Sequence, residues 1–297
     1  MRLSAFLSGL KTALAERYPY EEASAIASRL CEELLGVPRY APIVDPELDV
    51  PPEKEEALRQ AASRLLLGEP LQYVLGYADF GEARLRVTPD VLIPRPETEY
   101  LCRRIIEQLA ARPPRRILDL CTSSGCIAWS LAKAFPDALV VGVDLSEKAL
   151  EVARSQKPFA FGKGTVRTPA FIQADVLDPQ ALTQRLQKEL PEGEGFDLLV
   201  SNPPYVLERE KAAMRDNVLR HEPPLALFVP DEDPLRFYKA LSQLFFSPLF
   251  PGNALCALEI NENFGSETAA LFSQNRALTR IEQDLNEKDR YIFAKKC

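Results

Sequence analysis

The stretch that decides the fold is Ile117-Leu-Asp-Leu-Cys-Thr-Ser-Ser-Gly125, in which a short apolar strand runs directly into a loop of small residues. A helical pattern follows from Ile127 to Phe135, and the apolar run Ala138-Leu-Val-Val-Gly-Val143 then predicts a second strand. Small residues let the backbone turn sharply and approach a ligand closely. This order is typical of a parallel sheet that binds its ligand at the carboxyl ends of the strands.

The rest of the chain extends the same pattern. Near-continuous apolar segments alternate with helical ones, which implies a mostly parallel sheet with helices on both faces. We therefore expect an α/β fold with a seven-stranded, mostly parallel Rossmann-like sheet and a small helical N-terminal domain. The further strand candidates are Phe171–Gln173, Asp197–Val200, Ala254–Leu258, Thr279–Gln283 and Arg290–Ala294.

The N-terminal part of the chain has a different character. Residues 1–75 have mostly helical patterns and carry eight basic and twelve acidic residues, which suits a domain that recognises the substrate. Within them, Leu71–Gly76 has the composition of a strand. Residues 76–97 are predicted to form a β-hairpin and an extended linker, because Pro94 and Pro96 forbid a helix there. Residues 98–297 form the predicted α/β domain.

Composition limits the possible functions. The chain has 297 residues, of which 46% are hydrophobic, and its net charge of −7 argues against a protein that depends on binding the nucleic-acid backbone. No apolar run approaches the roughly 18 residues that a membrane helix needs, so a soluble, cytoplasmic protein is expected. The six cysteines include no CxxC pair and are expected to be reduced. His221 is the only histidine, and no metal site is expected.

The loop after the first strand has the features of a nucleoside site. Asp144 ends the second strand 19 residues after Gly125, close to the spacing at which an acidic residue reaches a ribose hydroxyl. The loop lacks the three glycines of a dinucleotide site, and Asp119 at its start suits a cationic nucleoside better than a pyrophosphate. The alternative is a tight turn with a capping Ser or Thr.

The segment Ser201-Asn-Pro-Pro-Tyr205, directly after a predicted strand, is the sharper motif. Pro203 and Pro204 have no N–H, so this loop presents carbonyl groups with little internal competition. Together with the side-chain carbonyl of Asn202, these acceptors can hold both hydrogens of one planar NH₂ group. Tyr205 adds a flat face for a planar amide or base. The alternative is a turn stiffened by proline.

Together these features resemble the class I methyltransferases that use S-adenosylmethionine, in the subgroup that acts on planar amino groups. More closely, the chain resembles the family of peptide chain release factor glutamine methyltransferases along nearly its whole length. The segments that carry this resemblance are Gly68-Glu-Pro-Leu-Gln-Tyr-Val-Leu-Gly76, Leu92-Ile-Pro-Arg-Pro-Glu-Thr-Glu99, Asn202-Pro-Pro-Tyr205 and His221-Glu-Pro-Pro-Leu-Ala-Leu227.

The resemblance implies methylation of the side-chain amide of the glutamine in the Gly-Gly-Gln motif of release factors, with S-adenosylmethionine as cofactor. Release factors are the implied partners, and neither a membrane nor stable direct binding to nucleic acid is expected. The implied cofactor-binding residues are Cys121, Thr122, Ser123, Ser124, Gly125, Asp144, Val176 and Asn202. The implied substrate-binding residues are Asn202, Pro203, Pro204 and Tyr205, and the implied catalytic residues are Asn202, Pro203 and Tyr205.

Departures from the family pattern leave alternatives open. Cys121 and Ser123 stand where the family has glycines, Val176 is aliphatic where other members can carry an aromatic residue, and Pro230–Pro234 lacks the usual glycines. One alternative is an N6-adenine or similar nucleic-acid methyltransferase with the same arrangement of acceptors. Another is a scaffold that binds release factors without the cofactor. Trp129 is predicted to lie in the core.

Overall fold

The computed structural model describes residues 1–156, 166–189 and 194–297. The chain divides into two compact units. The first comprises Met1–Tyr77 and Arg215–His221, and the second comprises Ala78–Met214 and Glu222–Cys297. None of the described helices is long and apolar enough to cross a membrane.

The first unit is helical, and its core is made of apolar stripes. On its first helix an apolar stripe is buried at Leu3, Leu7, Leu10 and Leu14. No sequence pattern indicated that a short helix from late in the chain belongs to this unit. The helices are α1 Leu3–Leu14, α2 Tyr20–Leu35, α3 Ala41–Val44, α4 Pro52–Leu66, α5 Leu71–Leu75 and α10 Asp216–His221.

The strand composition of Leu71–Gly76 was misleading, because this segment forms α5. Pro70 precedes the first helical residue, and Gly76, in the left-handed region at φ 80°, ends the helix by donating its N–H to the carbonyl of Gln72 at 2.8 Å. Leu71, Val74 and Leu75 pack against the helical core. These residues are spaced i, i+3 and i+4, so they contact the core from one face of a helix. In a helix of five residues this contact outweighs the strand propensity of the segment.

The second unit contains the large sheet. Its helices are α6 Pro96–Leu109, α7 Cys126–Ala134, α8 Glu147–Ser155, α9 Pro179–Gln187, α11 Arg236–Phe245 and α12 Gly265–Ser273. The described strands are β1 Tyr77–Phe80, β2 Ala83–Arg86, β3 Arg116–Leu120, β4 Leu139–Asp144, β5 Ala170–Gln173, β6 Leu198–Ser201, β7 Val206–Leu207, β8 Phe228–Val229, β9 Leu255–Glu259, β10 Ala277–Gln283 and β11 Asp289–Lys296.

Seven strands form one sheet in the order β10-β11-β9-β6-β3-β4-β5. Neighbours from β9 to β5 are parallel, and β11 runs antiparallel to both β9 and β10. Side chains of β3 enter both faces of the core, since Ile117 and Leu118 belong to different apolar clusters. The predicted seven-stranded, mostly parallel α/β fold is confirmed.

Gly142 in β4 allows the chain to close tightly around the loop after β3. A Cβ atom at this position would lie 2.7 Å from the ring of Phe171 and 3.0 Å from Oγ1 of Thr122. Contacts of 2.7 Å are not tolerated between such atoms, so any side chain here would push the neighbouring strand or the loop away. The glycine therefore helps to place the loop at Thr122.

Candidate active site

Three loops meet at one edge of the sheet. The strands β6, β3 and β4 are parallel neighbours, so the segments that follow Leu120, Asp144 and Ser201 leave the sheet side by side. A cavity of about 340 Å³ lies at this edge, a size typical of small-molecule sites. The predicted site residues that line it are Cys121, Thr122, Ser123, Ser124, Asp144, Val176, Asn202 and Pro204.

The remaining predicted residues support this wall without being part of the described lining. Gly125 is the left-handed residue that precedes α7, with φ 79°. Pro203 is buried, and Tyr205 turns its hydroxyl toward the buried carboxylate of Glu259, with an O–O distance of 3.0 Å. His221 lies at the end of α10 in the first unit. Within the described residues no cluster of His, Cys, Asp and Glu could hold a metal ion.

The loop after β3 keeps a glycine-like backbone without the glycines. Cys121 and Ser123 have φ values of 58° and 50°, in the left-handed region that disfavours side chains. Neighbouring groups hold the loop in place. The Thr122 N–H donates to the carbonyl of Val143 at 2.9 Å, and the Leu92 N–H donates to Oγ of Ser123 at 3.0 Å. Hydrogen bonds at Thr122 and Ser123 therefore hold the loop in this strained conformation.

Asp144 organises the opposite wall of the cavity. Its Oδ2 accepts the Ser123 N–H at 2.8 Å, and its Oδ1 accepts the Ser146 N–H at 2.9 Å. Burial raises the pKa of Asp144, and these backbone hydrogen bonds oppose the shift. Each carboxylate oxygen has a second lone pair, so Asp144 can also accept two hydrogen bonds from a ligand diol.

Asp119, below the loop, is a fully buried carboxyl group. Its Oδ2 accepts the Thr122 hydroxyl at 2.5 Å and the Ala128 N–H at 3.1 Å, whereas Oδ1 has no hydrogen-bond partner among the described residues. Burial raises the pKa of Asp119 to about 7, and the two hydrogen bonds oppose the shift. The pKa of this buried carboxyl therefore lies near neutral pH.

Asp119→Asn is expected to flatten the pH dependence of stability. In the wild type the pKa rises from 3.8 in the reference state to about 7, so the folded chain binds more protons between these values. The free energy of unfolding therefore falls as pH rises through this window. Denaturant unfolding at several pH values should show wild-type stability falling relative to the variant by a few kcal/mol at most.

Asp137→Asn, at an exposed carboxylate, is the matched control for this comparison. The difference between its free energy of unfolding and that of the wild type should be the same at every pH in the series. If the free energy of unfolding of Asp119→Asn changes with pH in the same way as that of the wild type, the role given to Asp119 is wrong.

Asn202 is held from behind by a chain of buried polar groups. Its Nδ2 donates to Oγ1 of Thr98 at 3.0 Å, and the Thr98 hydroxyl donates to Oε2 of Glu259 at 2.7 Å. Tyr205 reaches the other oxygen of the same carboxylate. The Oδ1 of Asn202 accepts no hydrogen bond from the described residues, and Asn202 lines the cavity. The acceptor is thus free for a ligand.

Two functional residues escaped the sequence analysis. Glu222, with an almost fully buried side chain, accepts the Arg95 guanidinium at 2.6 Å and the Ile93 N–H at 3.1 Å. It thereby fixes Arg95 at the cavity wall. Thr98 connects Asn202 to Glu259 as described. Both lie in the motif segments 92–99 and 221–227, and the motifs alone did not indicate their partners.

Comparisons with known proteins match this fold and site. Residues 6–76 match the family described as PrmC N-terminal domain, and residues 113–291 match a family described as Methyltransferase domain. A release factor glutamine methyltransferase of Bacteroides thetaiotaomicron is 38% identical over 294 residues, covering 99% of each chain. One of Chlorobaculum tepidum is 35% identical over 288 residues, covering 95% of this chain and 94% of the relative.

A solved structure adds a further likeness. The protein-(glutamine-N5) methyltransferase (release factor-specific) of Alicyclobacillus acidocaldarius is 29% identical, with a TM-score of 0.43, and the match covers 71% of this chain and 99% of that chain. The fold, the cavity and the domain match together define the chain as a methyltransferase. The identity along its full length decides the rest: the chain belongs to the release factor glutamine methyltransferase family.

Proposed function

We propose that this enzyme transfers a methyl group to the side-chain nitrogen of the glutamine in the Gly-Gly-Gln motif of peptide chain release factors. The observation that carries the proposal is the free Oδ1 of Asn202 at the cavity wall, with Nδ2 engaged by Thr98 at 3.0 Å. An amide oxygen in this position suits a planar NH₂ group as ligand. The relatives are named for the same reaction.

The cavity fits S-adenosylmethionine as the cofactor, which supplies an electrophilic methyl group on a sulfonium. The Asp144 carboxylate has two lone pairs left for the ribose hydroxyls. The loop Cys121–Gly125 would follow the nucleoside with its backbone, and Val176, which lines the cavity, would lie beside the adenine. The cavity lining has three aspartates against two arginines, and its formal charge of −1 suits a cationic ligand.

The residues of the chain would promote the reaction by positioning the substrate nitrogen. An amide nitrogen is a poor nucleophile because its lone pair is delocalised. Asn202 Oδ1 and the Pro203 carbonyl would accept the two N–H groups and aim the nitrogen at the methyl carbon. As the nitrogen bonds to the methyl carbon and the neutral thioether leaves, positive charge develops on the nitrogen and both acceptors bind its N–H groups more tightly, which stabilises the transition state. The methylated nitrogen then loses one of these protons to water. Such positioning can lower a barrier by about 7–11 kcal/mol at best.

The partner follows from the same reasoning. With a net charge of −7, the chain is poorly suited to hold nucleic acid through its phosphates. We therefore assign a protein substrate and no stable direct contact with nucleic acid. Because release factors act on ribosomes, the proposal places the enzyme in the cytoplasm.

A labelling experiment tests the proposal. The enzyme is incubated with S-adenosylmethionine carrying a labelled methyl group and with either a purified release factor or nucleic acid, and the label is located by mass spectrometry. Label on the glutamine of the Gly-Gly-Gln motif, absent from a release factor with alanine at that position, supports the proposal. Label on nucleic acid alone would establish the adenine-type alternative, and failure to bind the cofactor in a calorimetric titration would establish the scaffold.

A further inference from the structure

A chain of two buried side chains, Glu259 and Thr98, ends on the amide of Asn202. Thr98 is 2% exposed and Glu259 is 1% exposed, and their oxygens are 2.7 Å apart. We propose that Thr98 and Glu259 are positioning residues, which fix the Asn202 amide with its oxygen toward the cavity and so make it competent to grip the substrate NH₂ group. This inference rests on the proposed function.

The order of donors and acceptors carries the inference. An ionised carboxylate only accepts hydrogen bonds, and a threonine hydroxyl has one hydrogen to donate. That hydrogen goes to Oε2 of Glu259, so Oγ1 of Thr98 can only accept from Asn202. The partner must then be the Nδ2 group, because the flipped amide would place two acceptors against each other. The carboxylate thereby decides which end of the Asn202 amide faces the cavity.

The same carboxylate holds the other end of the Asn-Pro-Pro-Tyr loop. Tyr205 donates its hydroxyl to Oε1 of Glu259 at 3.0 Å, and Tyr238 donates its hydroxyl to the backbone carbonyl of Glu259 at 3.2 Å. Glu259 thus connects the first and last residues of the motif and is itself anchored at the end of β9. A buried carboxylate is costly unless several donors satisfy it, and here the donors are the groups that shape the site.

The surroundings of Glu259 agree with this role. Burial raises the pKa of Glu259, and the hydrogen bonds from Thr98 and Tyr205, together with the charge of Arg290, oppose the rise. The hydrogen bonds from Thr98 and Tyr205 therefore favour the ionised form. As an acceptor for the Thr98 hydroxyl, Glu259 holds Thr98 in the orientation that leaves Asn202 Oδ1 free.

Thr98→Val tests the proposal, because valine keeps the shape of threonine and removes the hydroxyl. The kcat for methyl transfer should fall about 10- to 100-fold, as expected when a reacting group is misplaced, while the calorimetric affinity for S-adenosylmethionine stays at the wild-type value. Thr98→Ser keeps the hydroxyl and should restore most of the kcat. Glu259→Gln should also lower kcat, because its amide can donate to Thr98 and so allow the Asn202 amide to flip.

Thr268→Val provides the matched control. Thr268 is fully buried in α12, and its hydroxyl has no hydrogen-bond partner among the described residues. This variant should keep the wild-type kcat, which shows that losing a buried hydroxyl is harmless by itself. Circular dichroism melting curves establish that every variant is folded at the assay temperature.

Two outcomes overturn the inference. A folded Thr98→Val enzyme with the wild-type kcat would show that Asn202 does not need its hydrogen bond to Thr98. A Thr98→Ser enzyme as slow as Thr98→Val would show that the packing of the threonine methyl group matters and that the hydroxyl does not. Failure of the proposed function looks different, since the wild type would then label no release factor. Should the wild type label nucleic acid instead, the same comparison of variants on that substrate still decides the role of Thr98.

Discussion

Asn202→Ala is expected to lower kcat on the order of 10²- to 10³-fold, the usual loss when one preorganised acceptor or donor for developing charge is removed. The substitution deletes the oxygen that the proposed mechanism uses for one N–H of the substrate. It also leaves Thr98 Oγ1 without its donor, which lies 3.0 Å away in the wild type. The affinity for S-adenosylmethionine should change far less, because Asp144 and the loop after β3 remain intact.

Single-turnover kinetics with a release factor substrate measure the chemical step, and calorimetry measures cofactor binding. Asn286→Ala, at an exposed position in the turn between β10 and β11, is the matched control and should keep full activity. Wild-type turnover by Asn202→Ala would refute the role of Asn202 as an acceptor. A loss confined to cofactor affinity would refute it as well and would leave Asn202 only its implied role in binding the cofactor.

Trp129→Ala is expected to reduce the free energy of unfolding by about 3–5 kcal/mol, the range measured when large buried aromatic residues are truncated. Trp129 is fully buried in α7, directly after the loop of the active site. Its Nε1–H donates to the carbonyl of Ala153 at 2.9 Å, and its ring centroid lies 6.4 Å from that of Phe171. The substitution removes both contacts and leaves a cavity under Gly125.

Chemical denaturation measures the effect, and Trp129→Phe separates its two parts. Phenylalanine keeps most of the ring volume and loses the N–H donor, so its stability should fall by only about 1–3 kcal/mol, the cost of leaving the Ala153 carbonyl without this partner. Equal stability of Trp129→Ala and the wild type would mean that the ring does not support the core. The structure confirms the sequence prediction that this residue lies in the core.

The local patterns of the sequence predicted the large sheet well. In β3 and β4 every residue except those at the strand ends is buried, and such near-continuous apolar runs leave few choices besides a central parallel strand. The segment 71–76 shows where this reasoning fails. Six residues are too few for a clear period, so the contacts of Leu71 and Val74 with the helical core decided the outcome.

In the active site, too, some features were predictable from the sequence and others were not. Asn202, Asp144 and the loop Cys121–Gly125 were predictable, because each directly follows a strand, and parallel strands deliver their carboxyl ends to one edge. The buried contacts that support the walls of the cavity were not predictable. Glu222 lies 127 residues from Arg95, and Glu259 lies 161 residues from Thr98. No periodicity spans such distances, and a buried carboxylate looks like a surface carboxylate in a sequence.

Local patterns alone predicted most strands and helices of the second unit, and they placed Asn202, Asp144 and the loop after β3 at the ends of neighbouring strands. These features depend on the spacing and polarity of residues that lie close together in the chain. Three-dimensional contacts alone produce the raised pKa of Asp119, the left-handed backbone at Cys121 and Ser123, and the support of Asn202 by Thr98 and Glu259. These properties arise when distant segments exclude water and bring polar groups within hydrogen-bond distance, and both conditions exist only after folding.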